Sequence, residues 1–151
     1  MGAIMEFATE KQIASFLSTC RIEGQKNFLM AFKKKTWLKS FIDFFIIGGS
    51  YYVQSSVKPK ILAFTPKGIY LMDISDITEN RSNQVVEMPW DDVKDFTYQT
   101  VLNTVRLNWN YQNKAYIFSV DVGQLSQRVG QYQFNKEHYD YLAQQDFFQS
   151  K

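Results

Sequence analysis

Between Thr104 and Val120 apolar and polar residues alternate almost without a break, and few folds can accept such a segment. Val105, Leu107, Trp109 and Tyr111 fall on one side, with Arg106, Asn108 and Asn110 on the other; Tyr116, Phe118 and Val120 resume the apolar side after Gln112-Asn113-Lys114. Period two with one wet face predicts an antiparallel hairpin laid against a core. A hairpin is marginal by itself, so the rest of the chain must supply more strands. Lys60–Thr65 and Gly68–Asp73 read as two strands joined around Pro66-Lys67, where Pro sets φ for the turn and Gly68 accepts a positive φ after it. Asn27–Phe32 reads as a strand with Lys33–Lys35 as its exposed continuation, and Val85–Met88 as a short strand ended by Pro89. Val93–Thr100 alternates Val93, Asp95, Thr97 and Gln99 with Lys94, Phe96, Tyr98 and Thr100. Residues 73–84 are polar and turn-forming, which predicts a loop. Trp37–Ile47 satisfies helix and buried strand equally, Gly48-Gly49-Ser50 breaks it, and Tyr51–Val53 is extended again.

Helices are expected only at the two ends. Ile13, Phe16 and Leu17 form a narrow stripe in a helix over about Glu6–Thr19, with Thr9 and Gln12 spaced as a capping box and Gly24 as the stop. Asn135 to about Phe148 reads as a closing helix, with Asn135 as N-cap and Phe134, Tyr141, Leu142 and Phe148 on its apolar stripe. The chain has 151 residues, the size of one ordinary domain, and its 13 Phe, 9 Tyr and 3 Trp require large buried area. The expected fold is mainly β (α+β): a single bent antiparallel sheet, or partly open barrel, of about seven strands. A C-terminal helix caps it and an extra N-terminal helix precedes it.

Composition narrows the function classes. One Cys (Cys20) and one His (His138) exclude a disulfide framework and multi-Cys/His zinc sites. No GxGxxG, P-loop, HExxH, GxSxG or kinase signature is present. His138, beside Tyr139 and Asp140, reads as a half-exposed helix residue, and Cys20 as a small hydrophobe at a helix–sheet contact. Asp73, Asp76 and Glu79 lack the glycine and terminal glutamate of a calcium loop, and Asp91, Asp92 and Asp95 suit a turn. No catalytic residue, cofactor or metal site is expected, and the protein is read as not an enzyme. Most aromatics, Trp90 and Trp109 included, are assigned to the core rather than to a nucleic-acid stacking platform, so nucleic acid is not an expected partner. Tyr51, Tyr52, Tyr98 and Tyr132 are candidate contact residues. The longest apolar run, Phe41–Val53, is too short to span a bilayer and no signal-peptide pattern precedes it, so a soluble cytoplasmic protein is expected.

Charge is unevenly placed. Residues 1–70 carry ten Lys/Arg against four Asp/Glu, whereas residues 71–151 carry seven against eleven. Lys33, Lys34, Lys35, Lys39, Lys58 and Lys60 form the candidate lipid- or anion-binding set, with Trp37 and Phe41 as the candidate membrane or partner contact. The competing reading of this set is a solvated strand edge.

Ile61–Asp73 (ILAFTPKGIYLMD) resembles the hairpin, and Val85–Phe96 (VVEMPWDDVKDF) the following strand and turn, of bacterial pleckstrin-homology-like and GRAM-like domains. The hairpin Val105–Asp121 and the closing helix come in the order those domains use, so the resemblance covers about residues 25–148. It divides the chain into a helical extension, residues 1–24, and a pleckstrin-homology-like domain, residues 25–151. The resemblance implies a seven-stranded, strongly bent sheet closed at one end by the last helix. It also implies a binding module, since members bind acidic lipids or proteins. The lipid-binding members' Lys/Arg-x-Arg signature lacks its Arg here, which favours protein–protein contacts over phosphoinositide recognition. An anionic membrane surface, at the inner face of the membrane, is the second expected partner. The first helix has two expected roles: a cover on the sheet, or an element exchanged between copies to give a homo-oligomer.

Overall fold

The computed structural model describes residues 9–24, 26–33, 59–122 and 133–145. In chain order these form α1 (Glu10–Thr19), β1 (Phe28–Lys33), β2 (Pro59–Phe64), β3 (Gly68–Asp73), α2 (Ile74–Thr78), β4 (Val86–Pro89), β5 (Val93–Val101), β6 (Thr104–Tyr111), β7 (Lys114–Asp121) and α3 (Gln133–Gln144). The seven strands make one antiparallel sheet in the order β4-β3-β2-β1-β7-β6-β5. The expected α+β architecture, with a helix at each end of the strand series, is present. Trp37–Ile47, which reads as helix or buried strand, and the extended segment Tyr51–Val53 lie outside the described residues.

The sheet is strongly bent. β4 and β6 stand five places apart in its order, which in a flat sheet means about 24 Å. Yet Trp109 Nε1 of β6 donates to Met88 Sδ of β4 at 3.3 Å. The sheet therefore curls until its two edges approach each other, and one face becomes an interior. Leu29, Leu62, Phe64, Ile69, Met88, Val105, Leu107, Trp109, Phe118 and Val120 fill it. Trp109 lies parallel to Tyr116 and Phe118 at 5.5 Å each, while Phe96 reaches across from β5 to touch Phe64, Trp90 and Trp109. These aromatics fill the space where β4 and β5 are not joined by a ladder.

The alternation expected in β5 does not run through. A bulge between Lys94 and Thr97 places Asp95 at φ 55° and turns both Val93 and Phe96 toward the core. At the β2–β3 turn, Gly68 is needed for a different reason from the one the sequence suggests. Its φ is not positive; instead a Cβ there would sit 2.3 Å from the Met88 carbonyl oxygen of β4. Gly68→Ala is expected to destabilise the fold by about 1–3 kcal/mol through strand displacement, measurable by urea unfolding.

The outer face of β1–β3 is covered as well. Ile13, Phe16 and Leu17 of α1 pack with Ile74 and Ile77 of α2 over Phe28, Met30, Ile61, Ala63 and Met72. α1 starts with the expected capping box: Thr9 Oγ1 accepts from Gln12 N at 3.1 Å and Gln12 Oε1 accepts from Thr9 N at 2.9 Å. Gly24 is not its stop. The helix ends in a Schellman motif with Arg21 at φ 61°, where Ile22 N donates to Leu17 O and Arg21 N to Ser18 O. Gly24, at φ 115°, instead makes room for the Asn27 amide, which donates to Glu23 O and Phe64 O at 2.8 Å each. Residues 73–84 also differ from the expected loop. Ile74 and Ile77, three apart, give α2 one apolar face, and Asp76 Oδ2 accepts from Asp73 N at its start.

α3 closes the molecule by entering the sheet rather than only capping it. β1 pairs with β7 at Phe32↔Ser119 and Lys33↔Phe118. Because Asn27 bonds to Phe64 of β2, residues 28, 30 and 32 turn their main-chain groups toward β7. At Met30 the two strands have already separated, and the buried Asn135 of α3 fills the gap. Its Oδ1 accepts from Met30 N at 2.8 Å, and its Nδ2 donates to Met30 O at 2.9 Å and Asp121 O at 3.2 Å. Asn135 is therefore not an N-cap: α3 begins before it, at Gln133. On the expected stripe Phe134 and Leu142 are buried, while Tyr141 is 41% exposed.

Candidate interaction surface

β5 is the last strand of the sheet, and among the described residues β6 is its one strand neighbour. The Tyr111↔Lys114 closure commits Val105, Leu107 and Trp109 of β6 to β7, so Thr104, Arg106 and Asn108 bond to Val101, Gln99 and Thr97 of β5. The amide and carbonyl of Thr100 consequently face the open side of the sheet. The bulge at Asp95 twists the first part of β5 away, and the regular edge runs over the five residues Thr97–Val101.

Beyond that edge the chain turns through Leu102 and Asn103. Leu102 is 93% exposed and has φ 55°, in the left-handed region that favours Gly and Asn, and neighbouring Val101 is 52% exposed. A solvated leucine in that conformation costs the fold of order 1 kcal/mol and contributes nothing to packing. From the interior side, Tyr139 of α3 comes within 3.4 Å of Thr100, hydroxyl to hydroxyl, so α3 forms a wall beside the edge. The arrangement offers main-chain hydrogen bonds, an apolar knob and a helical wall. These are the features by which an extended peptide adds to a sheet edge.

Of the lysines expected to bind anions, Lys60 is engaged by Asp73, an ion pair across β2 and β3. Lys33 ends β1. Lys34, Lys35, Lys39 and Lys58, with Trp37 and Phe41, lie outside the described residues, as do Tyr51, Tyr52 and Tyr132. Tyr98 lies half-buried against the core. Among the described residues no helix is long and apolar enough to cross a membrane. No family of known proteins, no curated protein and no solved structure matches this chain.

Several ionisable side chains of the candidate clusters are tied into structure. Arg81 binds Asp76 at 3.3 Å and Glu79 at 3.0 Å, Asp73 holds Lys60, and Asp95 Oδ2 accepts from Asn110 at 3.2 Å. Among the described residues no three His, Cys, Asp or Glu side chains converge as a metal site. Cys20 packs beside the outer cluster, where burial raises its thiol pKa and so lowers the thiolate fraction. A groove of about 470 Å³ between α1 and α2 is lined by Lys11, Gln12, Ser15, Phe16, Ile77 and Asn80, Lys11 being the charged residue among them.

His138 is the residue the sequence places least well. It is fully buried rather than half-exposed, one turn after Phe134 and edge-on to Phe28 at 4.6 Å. Its Nδ1 lies 2.8 Å from Phe28 O and its Nε2 3.0 Å from Glu10 Oε2. With Asn135 it supplies β1 with partners that β7 no longer provides. The only sequence signal for either was a polar residue beside the apolar stripe of a closing helix.

Proposed function

We propose that this chain is a non-enzymatic binding module of the pleckstrin-homology-like kind that acts through protein–protein contacts, taking an extended peptide along the β5 edge. The observation that carries the reading is Leu102: a leucine held at positive φ and 93% exposed, at the end of the one regular stretch of sheet edge in β5. Backbone strain and solvated apolar surface at one position are characteristic of contact residues. The strand order, two up-and-down runs β1–β4 and β5–β7 joined where β1 pairs with β7, with the last helix packed across the interior, supports the family part of the proposal. Affinity would come from main-chain bonds to Thr100, and selectivity from an apolar side chain set against Val101 and Leu102.

Panning the purified protein against a displayed library of random peptides tests this. Enriched sequences should lack Pro within a five-residue core and carry an apolar residue at one end. Thr100→Pro removes an outward-facing N–H while leaving the β5–β6 ladder intact, and should abolish enrichment. Leu102→Gly should also weaken binding at least tenfold while leaving the unfolding midpoint unchanged or higher, because glycine relieves the strain. Equal enrichment by all three proteins would overturn the reading. Flotation of the wild type with anionic but not neutral vesicles would place membrane lipid ahead of peptide.

A further inference from the structure

The contact between Glu10 and His138 holds two distant parts of the chain together and has a proton requirement that its geometry dictates. Phe28 O only accepts, so at 2.8 Å the facing Nδ1 carries a hydrogen and donates it. The other ring nitrogen faces a carboxylate oxygen at 3.0 Å, and a carboxylate also only accepts. The second contact is attractive only if one further proton sits between them, as imidazolium with carboxylate or as neutral ring with carboxylic acid. Without it, two lone pairs face each other around a ring with no solvent exposure.

We propose that the Glu10–His138 contact is a proton-held latch that fastens the first turn of α1 to α3 and opens as pH rises. The sign follows from counting protons. The latched form keeps one proton between ring and carboxylate, and the opened form, with Glu10 in water, does not need it. Proton loss therefore favours opening, and the latch is complete on the acid side. Glu10 is placed to move, since its side chain is half-exposed whereas the ring is wedged between Phe28 and Phe134.

The other charged groups near the ring, among the described residues, form one opposite-charge pair, in which Lys26 also interacts with Glu10 and Glu137 with His138. Lys26, just before β1, binds Glu137 of α3 at 2.8 Å, and that pairing raises the Lys26 pKa and lowers that of Glu137. Tyr141 lies near Lys26, and β1 contributes only the Phe28 ring and carbonyl. The Lys26–Glu137 pair is exposed and persists through neutral pH, so it does not supply the proton the latch needs.

Amide hydrogen exchange of Ile13–Leu17 in the full chain, followed from about pH 5 to about pH 9 and corrected for intrinsic exchange, tests the proposal. In the wild type the opening constant of α1 should rise about tenfold or more across the range, the equivalent of losing one charge-assisted hydrogen bond. Glu10→Gln should flatten that rise, because its amide can accept from a protonated Nε2 and donate to a bare one. Nitrogen NMR of His138 should show the neutral ring as the Nδ1–H tautomer. A flat wild-type profile, an equally steep rise in Glu10→Gln, or a neutral ring protonated on Nε2 would each overturn it.

Discussion

Replacing Asn135 by leucine is expected to remove most of the stability of this domain, although leucine is the better helix former and the site is fully buried. The reason is what the amide leaves behind. Met30 N–H and Met30 C=O would lose their partner inside the seam between β1 and β7, and Asp121 C=O would lose its bond to the same amide. Each buried group left unpaired costs about 1–3 kcal/mol, so the sum is about 3–5 kcal/mol after relaxation, against a typical total of about 5–15 kcal/mol. Asn135→Asp should be no rescue, since it keeps an acceptor for Met30 N–H, loses both donors and buries a charge. Urea unfolding followed by far-UV circular dichroism measures both. A leucine variant as stable as the wild type would mean that β1 and β7 can close on each other, and that the amide only occupies space.

Trp109→Ala should be as severe, for a different reason. Among the described residues the indole is the largest side chain fully inside the curled sheet, and it touches Phe96, Tyr116 and Phe118 with its ring and Met88 with its N–H. Truncation leaves a cavity lined by residues from both halves of the sheet, which cannot collapse without uncurling it. A loss of about 3–5 kcal/mol is expected. Trp109→Phe retains most of the stacking, loses the sulfur contact and should cost about 1–2 kcal/mol. Calorimetry on the pair separates filling from bonding: if both variants melt together, the sulfur contact matters more than the volume.

What could be read in the amino-acid order depended on how local the determining physics was. The β6–β7 and β2–β3 hairpins were legible because alternation, turn residues and strand partners all fall within twenty residues of each other. The Thr9–Gln12 cap was legible for the same reason. α2 escaped because its signal is two isoleucines, Ile74 and Ile77, in a stretch otherwise rich in turn formers. The bulge at Asp95 defeated the alternation of β5, since an inserted residue looks like any other until a partner strand is present to count against. The exposure of Leu102 was equally hidden: a leucine beside a valine reads as core. Asn135 and His138 were the least accessible, because their roles follow from the splaying of β1 from β7, which depends on the course of the whole sheet.

The seam that α3 fills also has a schedule. Met30 is joined to its world by an amide 105 positions further along, and Glu10 meets His138 across 128. As the chain leaves a ribosome, the segment Phe28–Phe32 emerges with two apolar faces more than a hundred residues before the Asn135 and His138 side chains that finish it. Contacts of such long range slow folding, and an unfinished apolar strand invites pairing with neighbouring chains meanwhile. Synthesis of this domain therefore carries a vulnerable interval, in which β1 lacks its partners until its own distal helix arrives.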